Sequence, residues 1–538
     1  MVTLNNNRVA SWLSAIAYAT SEEAAWRDRA RKVIETYRND SGKWKTSGAK
    51  YNILWSNIEV LKPALYGETP KPDVRRRFHD DDALGKQVAE IIERSLQHSI
   101  EQHDFDHVMQ NVLMDYLISG RGIARLSYLP AIGEQVLDEV KISHVHWDDF
   151  RRGPGRTWDE VEWIAFKHYL SHTDFVKQFG KQFSDLTCNY NPTEDEASKM
   201  NADILNQDET HQRHVVWEIW DKENQQTLFI TDNYIDGCLK SVDDPYGLEG
   251  FYPIARPLMS FEDANSLIPV PEYWCYKDQA EELNRISDRI TKLVTVMKAR
   301  GIYDSRLHEM QEVMGLDDAE LLPAENVGLL TEQGGLTNAI WFLPIETLSR
   351  VLSILYTQRE QIKQVIYEIT GISDILRGTS NVNETATAQN IKAQYGSLRL
   401  QRRQLEIQRF ARDLLRLKSD IIGQKFDQKT LSCQTGMIIT NEVMRLLKDH
   451  KQLGYRVEVA TMSTKLINEQ VEQRQFNEAM QAVIGLMHAM MPAVSAELMS
   501  QAQMRALLLA VMRRFKFGKE IEAALDNFTT EVGDIRHA

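Results

Sequence analysis

The sequence predicts an α+β protein in which helices predominate, and two observations indicate this fold class. Ten of the 11 tryptophans lie at or before Trp274, where helical segments mix with strand-like runs. Beyond residue 270 the apolar residues recur mostly at helical spacing, except over roughly 315–345 and 430–462. We therefore expect a mixed α/β part over 1–270, followed by a part built mainly of helices.

The first part contains both kinds of element. Residues 51–66 predict a helix because four apolar residues follow its spacing: Ile53, Ile58, Leu61 and Leu65. The following stretch, TPKPDVRRR, predicts an extended connector punctuated by proline, and residues 84–118 predict one or two amphipathic helices. RGIARLSYL and QVLDEVKISHV alternate apolar and polar residues, which predicts a half-buried hairpin. HVVWEIWD and QTLFITD predict a second strand pair.

Two long helices open the second part. The first carries one narrow apolar stripe, formed by Leu283, Ile286, Ile290, Leu293 and Met297. The second runs from about Glu346 to Thr370 and repeats apolar residues every seven positions, at Leu348, Leu355, Ile362 and Ile369. Stripes of this width fit two helices that pack along their length. The residues between them, 301–345, predict a small α/β lobe at the tip of a helical hairpin.

A third long helix carries a distinctive set of arginines. Its apolar stripe consists of Leu400, Ile407, Phe410, Leu414, Leu417 and Ile421. Four arginines are predicted on the opposite side: Arg402, Arg409, Arg412 and Arg416. A solvated face and a basic strip that meets nucleic acid or an acidic neighbouring subunit fit this pattern equally. Both interpretations stay open.

Composition restricts the classes of function. The 63 basic and 77 acidic side chains give a net charge of −14, which argues against a protein that grips nucleic acid through a basic surface. The four cysteines contain no CxxC pair, so the spacing predicts neither a zinc site nor a disulfide framework. The first residues, MVTLNNNRVASWL, lack the apolar core of a signal peptide. The longest apolar stretch, 482–494, is too short to span a bilayer.

Few residues suggest catalysis. The interval from Gly371 to Gly378 is wrong for a phosphate-binding loop, and Thr379 stands where that motif needs lysine. Glu139 and Lys141, on a predicted strand, form the E-x-K half of a metal-dependent nuclease site. Because E-x-K arises easily by chance in so charged a chain, a DNA-processing enzyme is the alternative hypothesis and not the first.

Histidines provide two candidate metal sets. His144 and His146 precede two aspartates, Asp148 and Asp149. His103 and His107 are predicted to share a helix face at i, i+4. Neither set shows a further ligand in the sequence, so we interpret them as structural histidines. The sequence therefore predicts no catalytic residue, no metal and no cofactor.

Several phrases, in their order along the chain, resemble one family. They are NILWSNIEVLKPALYGETPKPDVRRR, DYLISGRGIARLSY, WDDFRRGPGRTWDEVEWIA, DDPYGLEGFYPIARPL with LIPVPEYWCYKDQAEELN, and GISDILRG with NETATAQ. The sequence resembles the portal proteins of tailed bacteriophages, most closely those of short-tailed phages. The resemblance covers most of the chain. It implies a phage portal fold and a ring of twelve subunits at one capsid vertex, whose axial channel passes DNA during packaging and ejection.

The resemblance also assigns regions and partners. It implies a wing over 1–270, stem helices over 271–300 and 346–371, a clip over 301–345 and a helical crown over 466–538. Residues 372–465 would supply a tunnel loop, the arginine-bearing helix and the rest of the wing. The implied partners are further copies of the chain, the terminase large subunit, a head-to-tail adaptor, the major capsid and scaffolding proteins, and the double-stranded DNA in the channel. No membrane partner is implied; the location is the virion, and the host cytoplasm during assembly.

The tunnel loop would occupy Gly371–Glu384. Gly371 suits the C-cap of the second stem helix because left-handed geometry costs glycine little. Asn381 suits the N-cap of the next helix, with Glu384 completing a capping box. The predicted DNA-facing residues are small and uncharged: Thr379, Ser380, Asn381 and Asn383. The alternative is an ordinary connector between helices that faces away from the channel.

Overall fold

The computed structural model of the protein describes residues 2–39, 50–67, 69–76, 83–131, 137–190, 212–261, 265–297, 301–303, 340–342, 345–372, 386–448 and 455–459, with isolated positions between 477 and 488. The chain divides into two compact units, residues 1–465 and 466–538. In the second unit the isolated described positions are helical. The first unit, which holds every element named below, is α+β, as the sequence predicts.

The described chain opens with helices α1 (Val2–Glu22), α2 (Ala24–Arg38), α3 (Ile53–Leu65), α4 (Ala83–Gln102) and α5 (Phe105–Ile118). Polar side chains fix where two of them begin. The Asn52 side chain accepts a hydrogen bond from the Trp55 N–H at 3.1 Å and caps α3. Asp104 accepts one from the His107 N–H at 3.3 Å and caps α5. The segment predicted over 84–118 is therefore two helices, with His103 in the turn between them.

The strands in the described residues are β1 (Pro72–Arg76), β2 (Arg121–Leu129), β3 (Glu139–Val145), β4 (Phe150–Arg152), β5 (Trp163–Leu170), β6 (His214–Asp221), β7 (Gln226–Ile230), β8 (Lys240–Asp243), β9 (Leu258–Met259), β10 (Gly301–Tyr303), β11 (Ile340–Phe342) and β12 (Tyr455–Val459). The strands β4-β5-β6-β7-β8 form a five-stranded antiparallel sheet, and β3-β2-β9 a three-stranded one. The pairs β1-β12 and β10-β11 are also antiparallel.

Both faces of the five-stranded sheet are covered. Strand β6 is buried along its whole length, and its side chains alternate between two apolar clusters. Val215, Trp217 and Ile219 join residues of α1 on one face. Val216 packs on the other face with Phe175 and Phe179 of helix α6 (His172–Phe179).

The remaining helices are α7 (Lys277–Val296), α8 (Ile345–Thr370), α9 (Ala386–Lys425), α10 (Gln428–Thr435) and α11 (Asn441–Lys448). A short 3₁₀ helix, Glu272–Cys275, precedes α7. At ~1.5 Å per residue, the 40 residues of α9 span about 60 Å. Its apolar stripe enters the main core, where Phe410, Leu414 and Ile421 are buried against helices and strands of the first part.

A buried group of charges joins the N-terminal helices to two strands. Glu23, between α1 and α2, accepts from both terminal nitrogens of Arg121 at 2.7 and 3.1 Å. Arg27 donates to the same carboxylate at 2.8 Å, and Arg152 lies 3.5 Å from it. Burial alone would raise the pKa of Glu23, but the guanidinium groups, Arg121 foremost, hold that pKa below its ordinary value. This cluster fixes β2 and β4 against α2.

Most of the predicted secondary structure is confirmed. The β2-β3 hairpin, the β6-β7 pair and the helix over about 346–370 are present. The stretch TPKPDVRRR, predicted as an extended connector, is instead strand β1, which pairs with β12 in the register Val74↔Val457. The physical reason for the error is distance, because β1 has no neighbouring partner in sequence and acquires one only when the far end of the unit folds back.

Candidate functional site

Helices α7 and α8 form a hairpin. They pack on each other, and the C-terminal end of α7 leads into β10 while β11 leads into α8. Because β10 and β11 pair in the register Gly301↔Phe342, the two helices run antiparallel. The 26 residues of α8 give the hairpin a length of about 39 Å. We call α7, α8 and the β10-β11 pair the helical hairpin.

The helical hairpin is buried over only a small part of its surface. On α7 the buried apolar residues are Ala280, Leu283 and Ile290, and on α8 they are Leu355 and Ile366. Six larger apolar side chains are exposed along the two helices: Val294, Val296, Ile354, Tyr356, Val365 and Ile369. Ile354 retains 59% of its surface. The described residues of one chain therefore leave a set of apolar side chains uncovered on this element.

The charges of the helical hairpin cancel. Helix α7 contains four basic and four acidic side chains, and α8 contains three of each, so each helix is formally neutral. Several of these pair locally, such as Lys292 with Asp288 at 2.6 Å and Lys363 with Glu360 at 2.8 Å. A surface of this kind offers a polyanion neither strong attraction nor strong repulsion.

The end of α8 is built as the sequence predicts. Gly371 has φ +71°, and its N–H donates to the Tyr367 carbonyl at 2.8 Å, which makes it a left-handed C-cap. Arg399 of α9 donates to the carbonyls of Glu368 and Ile369 at 3.2 and 3.3 Å. A cation at this position also complements the negative end of the helix dipole. Arg399 thus ties the last turn of α8 to α9.

A second arginine ties the start of α7 to the same helix. Arg403 donates to both carboxylate oxygens of Glu272 at 2.8 and 3.0 Å, in the two-pronged geometry that guanidinium favours. Burial acts to lower the pKa of Arg403, but the Glu272 carboxylate reverses this and raises the pKa above its ordinary value. Sequence reasoning missed Arg399 and Arg403, although their i, i+4 spacing was a signal that they share one face of α9.

The predicted tunnel-loop residues, Thr379, Ser380, Asn381 and Asn383, lie outside the described residues, as does Glu384. Both flanks of the loop are described. Gly371 ends α8 on one side, and α9 is described from Ala386 on the other. Ile372, the last described residue before the loop, is buried in the main core. The start of the loop is therefore anchored.

The four predicted arginines of α9 differ in exposure and in their partners. Arg402, Arg412 and Arg416 are exposed. Arg409 is half-buried, because it donates to Glu406 at 2.9 Å and to the Arg256 carbonyl at 3.2 Å. Acidic neighbours also reach the exposed arginines, as Arg412 pairs with Asp413 at 3.0 Å and Arg416 with Glu249 at 3.4 Å. The predicted basic face is reduced to three arginines, two of them partly neutralised.

The nuclease alternative finds little in the geometry. Glu139 and Lys141 alternate on β3 with the buried Val140 and Ile142, so they share its more exposed face. In the part of the chain that the structure describes, Glu139 belongs to no group of three side chains able to hold a metal ion.

The predicted histidine sets are not metal sites in the described residues either. His144 contacts Asp115 at 2.7 Å, and the Asp148 carboxylate is paired with Arg27 at 2.6 Å. Asp149 accepts from the Tyr169 hydroxyl at 3.1 Å. His103 and His107 do not share a helix face, since His103 precedes the start of α5. His144, Asp148 and Asp149 each have a structural partner instead.

A cluster that the sequence did not predict lies at the start of β6, the central strand of the five-stranded sheet. His172, Cys188 and His214 bring their ligand atoms within 4.8 Å of one another. Burial and then the charge of His172 lower the pKa of His214. Burial raises the pKa of the Cys188 thiol, and the charge of Arg213 opposes that rise. The three residues come from separate elements with no motif spacing, so no local pattern could reveal them.

Comparison with known proteins adds no family assignment, since neither a protein-family profile nor a curated protein sequence matches the chain. Among the helices described, none combines the length and apolar character that crossing a bilayer requires.

Proposed function

We propose that this chain is a portal protein of a tailed bacteriophage, the ring-shaped conduit through which DNA enters and leaves the capsid. The single observation that carries the proposal is the helical hairpin, a neutral antiparallel pair of helices with uncovered apolar side chains. The sequence resemblance supplies the second line of support, because it assigns a stem to the same two helices and a clip to the residues between them.

The uncovered side chains of the helical hairpin favour one occupant, a second copy of the same chain. They are distributed over both helices and extend to the last residues of α7, where Val294 and Val296 are each 50% exposed. A ring of identical subunits buries such surfaces through one repeated contact, in which one side of each hairpin meets the other side of the next. Full burial of a valine or isoleucine contributes roughly 1.5–3 kcal/mol, so burial of the exposed half of each of these side chains contributes about 1 kcal/mol.

The charge balance of the hairpin suits a channel for moving DNA. Duplex DNA carries one charge per ~1.7 Å of axis, so a hairpin of about 39 Å would face roughly 20 phosphates. In a ring of twelve, one additional lysine per subunit would offer a dozen phosphate contacts and favour retention. A neutral hairpin avoids this trap, and screening by salt confines the field of each of its charges to about 8 Å at physiological ionic strength.

In this proposal the protein is a conduit and not an enzyme. The force for packaging comes from a separate ATPase, the terminase, that docks on the ring through residues 301–345, and a tail adaptor later replaces it. The capsid and scaffolding proteins surround the ring at the vertex.

Measurement of the assembly mass tests the proposal directly. The purified full-length chain should form a closed ring of about 744 kDa, twelve times the 62.0 kDa of one chain. Mass photometry or native mass spectrometry resolves rings that differ by one subunit at this size. A small oligomer that cuts DNA with Mg²⁺ would instead favour the nuclease alternative with Glu139 and Lys141.

We further propose that residues 371–384 line the narrowest part of the channel. The anchored flanks support this placement, since Arg399 holds the end of α8 and Ile372 is buried beside it. Replacing Thr379 and Ser380 by lysine should leave ring assembly intact and impair packaging or retention of DNA in a salt-dependent way. The double alanine variant is the matched control and should be much milder. Equal packaging by all three proteins would contradict the placement.

A further inference from the structure

His172, Cys188 and His214 form a compact group of potential ligands outside the helical hairpin. The Nδ1 atom of His172 lies 3.0 Å from the Nε2 atom of His214, and the Cys188 sulfur lies within 4.8 Å of both. Nitrogen and sulfur atoms of this kind are the ligands that zinc-class ions prefer. A tetrahedral zinc ion with Zn–N bonds of ~2.0–2.1 Å separates two ligand nitrogens by about 3.3 Å, so the histidines need little movement.

The backbone around the group holds two of the ligands in place. An antiparallel bridge joins Tyr190 to Arg213. Cys188 lies two residues before Tyr190, and His214 directly follows Arg213. The Arg213 N–H donates to the Tyr190 carbonyl at 2.8 Å, and the Asn189 side chain accepts from the Val215 N–H at 2.7 Å. The separation of Cys188 and His214 is therefore set by hydrogen bonds and not by side-chain contact alone.

The imidazole rings are also fixed in direction. His214 is 1% exposed and stacks on Phe175, with ring centroids 4.1 Å apart and planes inclined by 14°. His172 is the first residue of α6, whose N-cap Ser171 accepts from the Asp174 N–H at 3.1 Å. A ring locked by packing and a ring placed by a capped helix lose little freedom when they bind an ion.

We propose that His172, Cys188 and His214 bind one zinc-class divalent ion per chain. The three protein ligands leave a fourth tetrahedral position for water. A histidine pair joined only by a hydrogen bond would use the two nitrogens and leave the sulfur without a role, whereas one ion uses all three atoms. The site is independent of the proposed function, because its residues lie on α6, β6 and the segment between them.

Such an ion would fasten α6 to the five-stranded sheet. It would close the chain between Cys188 and His214, a stretch of about 25 residues, and so add to the bridge between Tyr190 and Arg213 that joins the two ends. Because an ion that binds only the folded state stabilises it by mass action, the thermal midpoint should rise as the ion is added.

Cobalt titration of the full-length protein, first stripped with a chelator, tests the site. Co²⁺ should bind one per chain and give both tetrahedral visible bands and a near-ultraviolet thiolate-to-cobalt band, which Zn²⁺ then abolishes. In Cys188→Ser the thiolate band should vanish and affinity should fall at least tenfold. Cys238→Ser is the matched control, since it removes another half-buried thiol and should leave the titration unchanged.

A second variant protects the test against misfolding of the first. His172→Gln changes an exposed side chain, so circular dichroism should match that of the parent while the affinity for Co²⁺ falls at least tenfold. The absence of a thiolate band in the parent, or equal titrations of the parent, Cys188→Ser and His172→Gln, would overturn the proposal. A band that is lost in Cys238→Ser would overturn it too, because it would place the ion elsewhere.

Discussion

The cluster around Glu23 and the helical hairpin place charged and apolar side chains in opposite ways. In the cluster, Glu23, Arg27 and Arg121 are almost wholly buried, and both arginines pair with the Glu23 carboxylate. On the hairpin the charges lie at the surface in local pairs, and Ile354 and Val365 face outward. The ion pairs of the cluster form within one chain, whereas the hairpin leaves apolar side chains uncovered. Under the proposed function, neighbouring subunits cover those side chains, so the two regions should respond differently to substitution.

The strongest test of the cluster around Glu23 removes its central carboxylate. In Glu23→Gln, Arg121, Arg27 and Arg152 lose a buried partner, and we expect the free energy of unfolding to fall by about 3–5 kcal/mol. Glu22→Gln, at the exposed neighbouring position, should change it by less than about 0.5 kcal/mol. Urea denaturation of full-length protein, followed by circular dichroism, measures both.

The pH dependence of this effect has a definite sign. Because the folded pKa of Glu23 lies below the ordinary value of 4.5, its contribution is present above that value and is lost as the pH falls through the folded pKa. The gap between the parent and Glu23→Gln should therefore narrow in acid. A gap that stayed constant with pH would indicate that the variant acts through packing.

The second prediction concerns the helical hairpin. Ile354→Asp places a charge where we expect a neighbouring subunit, so the fraction of assembled protein should fall at least tenfold while the subunit fold persists. Because Ile354 is 59% exposed in one chain, loss of its burial between subunits accounts for roughly 1–2 kcal/mol per contact, and the buried charge adds to this cost. Sedimentation velocity measures assembly, and far-ultraviolet circular dichroism measures the fold.

Ile235→Asp is the matched control for this variant. Ile235 is 55% exposed, against 59% for Ile354, but it lies between β7 and β8 and not on the hairpin. We expect Ile235→Asp to assemble as the parent does. Equal assembly of both variants would show that exposure of Ile354 does not mark a contact between subunits.

A buried lysine of α9 supplies the third prediction. Lys418 of α9 is 1% exposed, and burial lowers its pKa to about 7, below the ordinary 10.5. The unfolded chain then binds more protons between those values, so this residue makes stability rise with pH across that window. At ~1.36 kcal/mol per pKa unit, the gain from pH 7 to 9 is about 2 kcal/mol.

Lys418→Met should remove that part of the pH dependence and raise stability at pH 7. Lys425→Met, at an exposed position of the same helix, is the control and should leave the profile as it is in the parent. Urea denaturation at pH 7 and pH 9 distinguishes them. A parent and a Lys418→Met variant with parallel profiles would mean that Lys418 does not titrate in this range.

The sequence predicts those features that depend on neighbouring residues. The β2-β3 hairpin follows from alternation within one segment, and Gly371 follows from the preference of glycine for left-handed C-caps. Features that depend on distant residues are not predictable in this way. Strand β1 pairs with β12, and Arg399 acts on carbonyls of another helix.

The features of the candidate site likewise divide into those that the sequence predicts and those that it does not. The apolar stripes of α7 and α8 predict a helical pair, because a stripe reports which face is packed. They do not show which apolar residues stay exposed, since that depends on how far the neighbouring elements reach. The group of His172, Cys188 and His214 is hidden for a further reason, because its three ligands come from different elements and no spacing rule connects them.

The smallest expected effect lies at Gly371, where the end of α8 meets α9. A methyl group added there would stand 2.9 Å from the Arg399 Cδ atom, and the φ of +71° would strain any L side chain. Left-handed geometry costs a non-glycine residue roughly 1–2 kcal/mol. We therefore expect Gly371→Ala to lower the free energy of unfolding by about 1–2 kcal/mol and to loosen the contact of Arg399 with the last carbonyls of α8.

Gly250→Ala is the control for this change, because an added methyl group there meets nothing within 4 Å and its φ lies outside the left-handed region. Its stability should match that of the parent within about 0.5 kcal/mol. Hydrogen exchange then localises the effect. In Gly371→Ala the last turn of α8 should exchange faster while α7 and the strands stay protected, because the strain falls on the junction. Faster exchange in the strands as well would show that the end of the helical hairpin and the rest of the unit unfold together. That result would argue against a difference in stability between the helical hairpin and the rest of the unit.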